Sequence, residues 1–587
     1  MSDASIKEAL GADIEAPYRV SVRRIRWDRV LLSIQVAVEP RDPSGAPGDP
    51  SRMTFEIVDG PRSFPVRAVP LAGGVFELLM NVTTFAGRQA VPNGTWRIRA
   101  YVDDGPASVA EYDGTTLAAL DDASRVFLYE RNRSVMTVSF GIAEAVDHLD
   151  FLMRTYHLVR KPKRGKRKRP FKWLRNLILG GKAKTRYARV FFALVNRAIG
   201  PRPGRILFAS DQRLAIDGNL KRVQERMIER GLAENFDMRY SFRLPRTTGW
   251  ATTLRILYLM ATSEIILLDD YFGLLKSVRF DDRTRVIQLW HAGSGFKSVG
   301  YSRFGNPGSP KLWHPHRQYT YAITGSRHLI PVYSEAFGIE EDAIIPTGLP
   351  RVDWFLDQER AARFKEDFYA QHPALKDKRI ILFAPTFRGR SIYKAFYDYD
   401  WIDFDALYEA CGSDTVVLFR MHHFVKTAIP IPPEYEDRFF DFTRYPDGLN
   451  LLHVTDLLIT DYSSIIYEYS LLDRPMLFFA PDKVNYAATR GFHRDYDETA
   501  PGRVCTTFAE IIDAIKAGDF QQHKVARFRE ENFDAIDTGA ADRVIDWLIL
   551  GDPRTSKAGM VVDVPDETES IADAAAAAKQ EDGEDRA

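Results

Sequence analysis

The apolar rhythm of the chain changes twice. In the first part, Leu32, Ile34, Val36 and Val38 are separated by Ser33, Gln35 and Ala37. Phe55 and Ile57 repeat the pattern, and Trp96, Ile98 and Ala100 follow an Asn93-Gly94 turn signal. A period of two predicts half-buried strands joined by tight turns. Residues 135–140 read as a final strand, and Pro and Gly clusters separate the others. An all-β, sandwich-like N-terminal domain is therefore expected over residues 1–145. It shows no catalytic constellation, so a structural or docking role is expected.

From Arg205 onward the strands become short, wholly apolar runs, as in buried parallel sheets. Residues 206–209, 265–268, 286–290 and 321–324 are such runs, with helical patterns such as 252–260 between some of them. They end in Ser210-Asp211, Asp269-Asp270, His291 and Gly325-Ser326. A second series follows Pro350. Residues 380–384 end in Pro385-Thr386-Phe387-Arg388, and 416–419 in Arg420-Met421-His422-His423. Residues 457–460 end in Asp461, and 476–479 in Ala480-Pro481-Asp482. The expected class is α/β, with two Rossmann-like units over 201–370 and 371–552 whose strand ends share a cleft. Residues 520–550 read as closing helices. The tail, 553–587, is Ala-rich and acidic and is expected to be disordered.

Between the β-rich part and the first unit, residues 146–200 change character. Arg160, Lys161, Lys163, Arg164, Lys166, Arg167, Lys168 and Arg169 are followed by Phe171, Trp173, Leu174, Leu177 and Ile178. A polybasic run beside an amphipathic stretch suits an anionic membrane surface. A solvated linker and a nucleic-acid patch are the competing readings; nothing else in the chain resembles a nucleic-acid module, and no nucleic-acid partner is expected.

Composition adds three limits. The formal net charge of zero hides this uneven distribution. Two cysteines, Cys411 and Cys505, argue against a disulfide framework or a Cys-rich zinc site. Met1-Ser2-Asp3-Ala4 lacks the basic and apolar regions of a signal peptide, and no apolar run of membrane-spanning length is expected.

The strand ends carry the candidate chemistry. Asp461, Ser463 and Ser464 lie between an apolar strand and a helical pattern formed by Ile465, Ile466, Tyr469 and Leu472. A helix start there offers N–H groups to a phosphate; the plain alternative is that Ser463 or Ser464 only caps the helix. His291 stands before Gly293 and Gly295 with Lys297 close behind. Imidazole suits a general base, and the lysine suits an anion; a structural hydrogen-bonding histidine is the alternative. Arg388, Arg420 and His422 are expected around the Asp461 turn, where forked guanidinium donors match phosphate oxygens. No Walker or GxGxxG motif is present, no cofactor is expected, and no metal triad stands out, His314-Pro315-His316 being the nearest candidate.

These residues also form a recognisable series. Gln288-Leu289-Trp290-His291, Thr347-Gly348-Leu349-Pro350-Arg351-Val352-Asp353, Leu382-Phe383-Ala384-Pro385-Thr386-Phe387-Arg388, Arg420-Met421-His422 and Thr460-Asp461-Tyr462-Ser463-Ser464 through Leu472-Asp473-Arg474-Pro475 stand in that order. With a weaker match at Ser210 and Asp217-Gly218-Asn219, the series resembles the CDP-glycerol glycerophosphotransferase family, over about residues 205 to 500. The resemblance implies a GT-B-like pair of Rossmann-like domains. It implies transfer of glycerol phosphate or ribitol phosphate from a CDP-activated donor to a lipid-linked, teichoic-acid-like polymer, with release of CMP. The cytoplasmic face of the cell membrane is the implied location, with peripheral attachment. Carried over, His291 becomes the base for the acceptor hydroxyl. His422 contacts the donor pyrophosphate with Arg388, Ser463 and Ser464, and Asp461 and Glu468 shape the donor pocket. His291-Ala292-Gly293-Ser294 and His422-His423 depart from the His-Gly-Thr-Pro and His-Pro common in the family. A glycosyltransferase using a sugar nucleotide, and a membrane-associated glycopolymer-binding scaffold, are the competing functions.

Overall fold

The computed structural model describes residues 18–41, 52–102, 105–112, 123–130, 134–144, 149–159, 181–244, 249–291, 293, 295–305, 309–389, 395–446, 448–551 and 553. The polybasic run, the tail from 554, Ala292 and Ser294 therefore lie outside the described residues.

Ten strands precede the α/β part: β1 (Tyr18–Asp28), β2 (Leu31–Pro40), β3 (Met53–Asp59), β4 (Arg62–Pro70), β5 (Val75–Asn81), β6 (Gly94–Val102), β7 (Ser108–Tyr112), β8 (Arg125–Tyr129), β9 (Ser134–Glu144) and β10 (Leu149–Val159). Hydrogen-bonded neighbours run β1-β2-β5-β4-β3-β6-β7, and β7 returns to β1 through parallel pairs from Val20–Ala110 to Val22–Tyr112. The ring is closed, in place of the expected two-sheet sandwich. Closure removes the exposed edges that an open sheet of this length would leave. Phe55, Phe76, Leu78 and Trp96 fill the interior, and Trp96 Nε1 donates to Thr155 Oγ1 at 2.9 Å.

The expected boundary at residue 145 falls inside a hairpin. β9 and β10 pair along their full length, from Leu149–Glu144 to Val159–Ser134. β10 hides from a period-two reading because Phe151, Leu152 and Met153 form an unbroken buried apolar run, while the exposed Tyr156 and Leu158 are apolar too.

Two parallel six-stranded sheets follow. The first contains β11 (Arg202–Ser210), β12 (Asp237–Phe242), β13 (Ser263–Leu268), β14 (Arg285–Gln288), β15 (Tyr321–Ile323) and β16 (Ile344–Ile345). Its order is β12-β11-β13-β14-β15-β16. The second contains β17 (Arg379–Phe383), β18 (Thr415–Phe419), β19 (Phe439–Asp441), β20 (Leu457–Thr460), β21 (Met476–Phe479) and β22 (Arg503–Cys505). Its order, β19-β18-β17-β20-β21-β22, reverses direction between β17 and β20. Ligands of such sheets bind beyond the carboxyl ends of the strands at that reversal.

The chain crosses between the units twice. Phe355, Phe368 and Leu375 pack into the core of the second unit. Val544, Ile545, Leu548 and Ile549 return to the core of the first. The expected division at 370/371 and the placing of every residue to 552 in the second unit are corrected accordingly. Asp353 ties the two crossings, accepting from the Ala540 and Ala541 backbone N–H groups, each at 2.9 Å.

All three parts meet at one junction. Arg29, in the β1–β2 turn, donates from Nη2 to Glu335 Oε2 at 2.8 Å and from Nη1 to the His493 carbonyl at 2.7 Å. Tyr301 and Phe304 of the first unit also enter the core of the β-rich part. Among the described residues, no helix is long and apolar enough to cross a membrane.

Candidate active site

His291 is presented by a strand end held from three sides. Trp290 adopts a left-handed φ of 52°, and its N–H donates to Gln288 Oε1 at 2.9 Å. Asn219 Nδ2 donates to the carbonyls of Leu289 and Trp290, both at 2.9 Å. Asn219 Oδ1 accepts from the Arg351 N–H at 2.9 Å. The Asp-Gly-Asn sequence that looked weak thus clamps the loop carrying the histidine.

His291 Nδ1 faces Asp270 Oδ2 at 3.5 Å, and 40% of the side chain remains accessible from the cleft. Desolvation by the cleft walls pushes its pKa down to about 4, with Arg351, Arg213 and Lys297 adding to the shift. The imidazole is neutral at pH 7. At that distance Nδ1 makes no hydrogen bond to Asp270, and the neutral ring keeps one nitrogen able to take a proton. Burial raises the neighbouring Asp269 to about 6, against the pull of Arg213.

Across the cleft, residues 296–298 pair with 491–493. The Ser298 N–H donates to the Gly491 carbonyl at 3.1 Å, and the His493 N–H to the Phe296 carbonyl at 3.1 Å. This seam delivers Lys297 of the first unit to His422 of the second. Both line a cavity of about 220 Å³ with Thr386, Phe387, Tyr486 and Arg490. Burial lowers the Lys297 ammonium to about 8, opposed by Asp461 and reinforced by Arg490 and Arg388. Burial also lowers His422 to about 4, followed by the effects of His423, Lys297 and Arg420. The Lys297 charge contributes to the lowered pKa of both histidines. A larger cavity of about 750 Å³ shares Arg303, Phe387, Tyr486 and Arg490 with the first and adds Phe396 and Trp401.

The structure redistributes the other candidates. Arg388 is engaged on every nitrogen: Nη1 donates to Asp461 Oδ2 at 2.8 Å, and Nε and Nη2 donate to Asp482 at 2.7 and 2.9 Å. Four aromatic rings, Tyr397, Trp401, Tyr462 and Tyr486, lie within 5.1–5.7 Å of its guanidinium. Asp461 is fully buried and accepts from Thr386 N and Oγ1 at 2.8 and 2.9 Å. The pair braces the strand reversal, and Arg388 and Asp482 also line the larger cavity. Glu468 is likewise buried, and its carboxylate pairs with Arg351 of the first unit, a bridge between units rather than a pocket wall.

Ser463 and Ser464 remain half-buried at the strand end. Ser463 Oγ accepts from the Ile465 N–H at 3.4 Å. Ser464 precedes the helix Ile465–Ser470 without capping it, so the plain capping role does not describe its hydroxyl. Arg420 donates from Nη1 to the Phe442 and Tyr445 carbonyls at 3.0 and 2.7 Å. It lines a separate groove with His423, Lys426 and Arg444, one step beyond His422. The His314 and His316 rings lie tilted at 4.2 Å from each other and pack against Tyr271, His316 edge-on.

Reading the sequence residue by residue overlooked Arg351, Asp482, Arg303 and Arg490. Arg351 and Asp482 sit in motifs at strand ends, where their charge was the available signal. Arg303 and Arg490 reach the site only through the fold and carry no local signal.

Two parallel α/β units meet over two neutral histidines and a cluster of cations, an arrangement whose charge suits an anionic ligand. Comparison with known proteins is specific. The model of the CDP-Glycerol:Poly(glycerophosphate) glycerophosphotransferase family matches residues 191–550, and the chain belongs to that family. It is 38% identical over 359 residues to the teichoic acid poly(ribitol-phosphate) polymerase of Bacillus spizizenii, covering 61% of this chain and 58% of that protein. It is 38% identical over 344 residues to the ribitol-phosphate polymerase TarL of Staphylococcus aureus, covering 58% of this chain and 61% of that one. The matched region thus spans less than two thirds of either relative. A solved structure of the wall teichoic acid polymerase TagF, a histidine variant, shares the fold: TM-score 0.52, 24% identity, 64% of this chain and 95% of that chain.

Proposed function

We propose that this protein transfers a polyol phosphate, specifically ribitol phosphate, from its CDP-activated form to the hydroxyl end of a lipid-linked teichoic-acid-type polymer. The observation that carries the reading is the joining of Lys297 and His422 in one cavity, with His291 held neutral on the facing unit. His291 takes the proton of the acceptor hydroxyl on its unprotonated ring nitrogen. The freed oxygen attacks the phosphorus bearing the polyol, and the bond from that phosphorus to the bridging oxygen breaks. CMP leaves with the electron pair. Lys297, and a hydrogen bond from the His422 ring, meet the charge that develops on it. Ser463 and Ser464, at the reversal between β17 and β20, face the donor phosphates.

Identity favours ribitol over glycerol as the polyol. The B. spizizenii ribitol-phosphate polymerase and primase are 38% and 34% identical to the chain, against 28% for the glycerol-phosphate primase of the same organism. The two α/β units are read as a GT-B-like pair, with residues 18–159 as an attached β domain. We place the protein peripherally on the cytoplasmic face of the membrane, held there in part by the basic segment 160–180. That position suits an acceptor carried on lipid.

The test is CMP release by the full chain offered CDP-ribitol or CDP-glycerol with a lipid-linked acceptor analogue. Release with CDP-ribitol, lost in His291→Ala, is expected. Release from CDP-glycerol alone would overturn the polyol assignment. Release that persists in His291→Ala would overturn the base.

A further inference from the structure

The strands β8, β9 and β10 form a three-stranded extension on the closed ring, and its outward face is apolar. Register places Leu128, Val135 and Leu158 in one row across the three strands, and Val126, Thr137 and Tyr156 in the next. Four of these side chains are open to solvent: Val126 at 65%, Leu128 at 40%, Tyr156 at 54% and Leu158 at 50%. The inward neighbours Phe127, Met136 and Val138 are buried in the ring core. The outward residues are therefore not a spill-over of that core; they are a second apolar surface on the other side of the same sheet.

Charge distinguishes the partner. The row of Leu128, Val135 and Leu158 lies at the end of the sheet where β8 ends, β9 begins and β10 ends. Two basic stretches join the sheet at that same end. Arg131 and Arg133 connect β8 to β9, and the eight Lys and Arg residues of 160–169 follow β10. From 151 to 180 the chain has no Asp or Glu. Glu130, at that end, is matched by Lys311 at 3.5 Å. Beyond the basic segment, the helix Gly181–Ala198 exposes Tyr187, Val190 and Leu194 at helical spacing. An apolar face whose strands lead at one end into basic sequence fits an interface of anionic headgroups over acyl chains. A protein partner would need carboxylates to match the cations and an apolar face of its own.

We infer that the outward face of β8–β9–β10 is a bilayer-contact surface, in which Leu128, Val126, Tyr156 and Leu158 enter the interface of an anionic membrane beside the basic segment. This rests on the membrane placement proposed above and adds a surface outside the matched family region.

The experiment is flotation of the full chain with vesicles of phosphatidylcholine alone or with one third phosphatidylglycerol. Three proteins are compared: wild type, Leu128→Ser/Leu158→Ser, and a variant neutralising Lys163, Arg164, Arg167 and Lys168. Wild type is expected to bind the anionic vesicles. The serine variant is expected to lose about tenfold in partitioning while keeping wild-type thermal unfolding and CMP release with a water-soluble acceptor. A second measurement does not depend on that variant. Both native cysteines are buried, so Leu128→Cys provides a single accessible thiol for an environment-sensitive dye, whose emission is expected to shift to the blue on anionic vesicles. Unchanged partitioning of the serine variant together with an unshifted dye overturns the surface. If the neutralised variant alone fails to bind, the basic segment holds the membrane and the sheet face does not. If wild type binds neither vesicle, the membrane placement falls with it. A change of oligomeric state in the serine variant, with binding intact, would reassign the face to contact between copies.

Discussion

Nη1 of Arg388 lies 2.8 Å from Oδ2 of Asp461, with the side chains 7% and 0% accessible. The pair sits where the second sheet reverses its strand order, and Asp482 completes it. A guanidinium so enclosed holds the loop after β17 against the turn after β20. Asp461→Ala leaves the guanidinium with Asp482 alone and takes the acceptor from the Thr386 N–H and hydroxyl. It is expected to cost about 3 kcal/mol of stability, seen as a lower midpoint in denaturant unfolding. Wild-type stability with a raised donor KM would instead mark Asp461 as a substrate contact.

The pH profile of kcat/KM should be broad. His291 works as a base when neutral, and its pKa of about 4 keeps it neutral down to that pH. Lys297 holds anions when protonated, and its pKa is about 8. Activity is therefore expected to fall below pH 4–5 and again as pH rises through 8. Lys297→Arg, which cannot deprotonate in this range, should abolish the alkaline limb whatever its rate. A limb that stays near 8 in that variant would assign it to another group.

Gly293 is the close contact between the histidine loop and the second unit. A Cβ at this position would stand 2.3 Å from Cγ of Tyr467. Because Tyr467 is packed among Phe528 and the residues of the second core, the loop must yield. Gly293→Ala is expected to lower kcat at least tenfold with a small change in unfolding temperature, measured by CMP release and calorimetry. A fully active variant would show that the loop position is not critical.

His493 links acid sensitivity to the three-part junction. Its Nε2 lies 3.3 Å from Glu335 Oε2. Burial, then Arg29 and Arg494, lowers its pKa to about 3 from the ordinary 6.5. A lowered pKa in the folded state means the unfolded chain binds the proton more readily between these values. The stability is complete above pH 6.5 and is lost as pH falls, by about 2 kcal/mol at pH 5. His493→Gln should flatten the pH dependence of unfolding between pH 7 and 5 by about that amount. An unchanged slope would place the sensitivity elsewhere among the buried histidines.

Much of the α/β part was legible because buried parallel strands are short apolar runs that announce themselves. Leu457–Thr460 and Arg379–Phe383 were found this way, with the polar residues after them. The roles of those residues were less legible. Arg388 read as a phosphate contact and Asp461 as part of the donor pocket because a charge at a strand end looks the same whether it faces a ligand or another charge. Only the packing of Asp482 and four aromatic rings around the guanidinium separates the two cases. Strand β10 was missed since Phe151, Leu152 and Met153 are apolar in succession and apolar residues stand on both of its faces, which blurs the period of two.

The sequence by itself determined the class of the second half, the strand ends that carry chemistry, and the pairing of His291 with His422 as candidates, because these follow from local hydrophobic period and residue type. The tertiary structure decided what depends on distant segments meeting. It closed seven strands into a ring. It sent the helix Ala540–Val544 back to the first unit, and it joined residues 296–298 to 491–493 so that Lys297 reaches His422. Each of these pairs residues far apart along the chain. Their free energy lies in shared burial and in hydrogen bonds between remote backbones, and a local pattern of apolar and polar positions does not encode which remote partner is chosen.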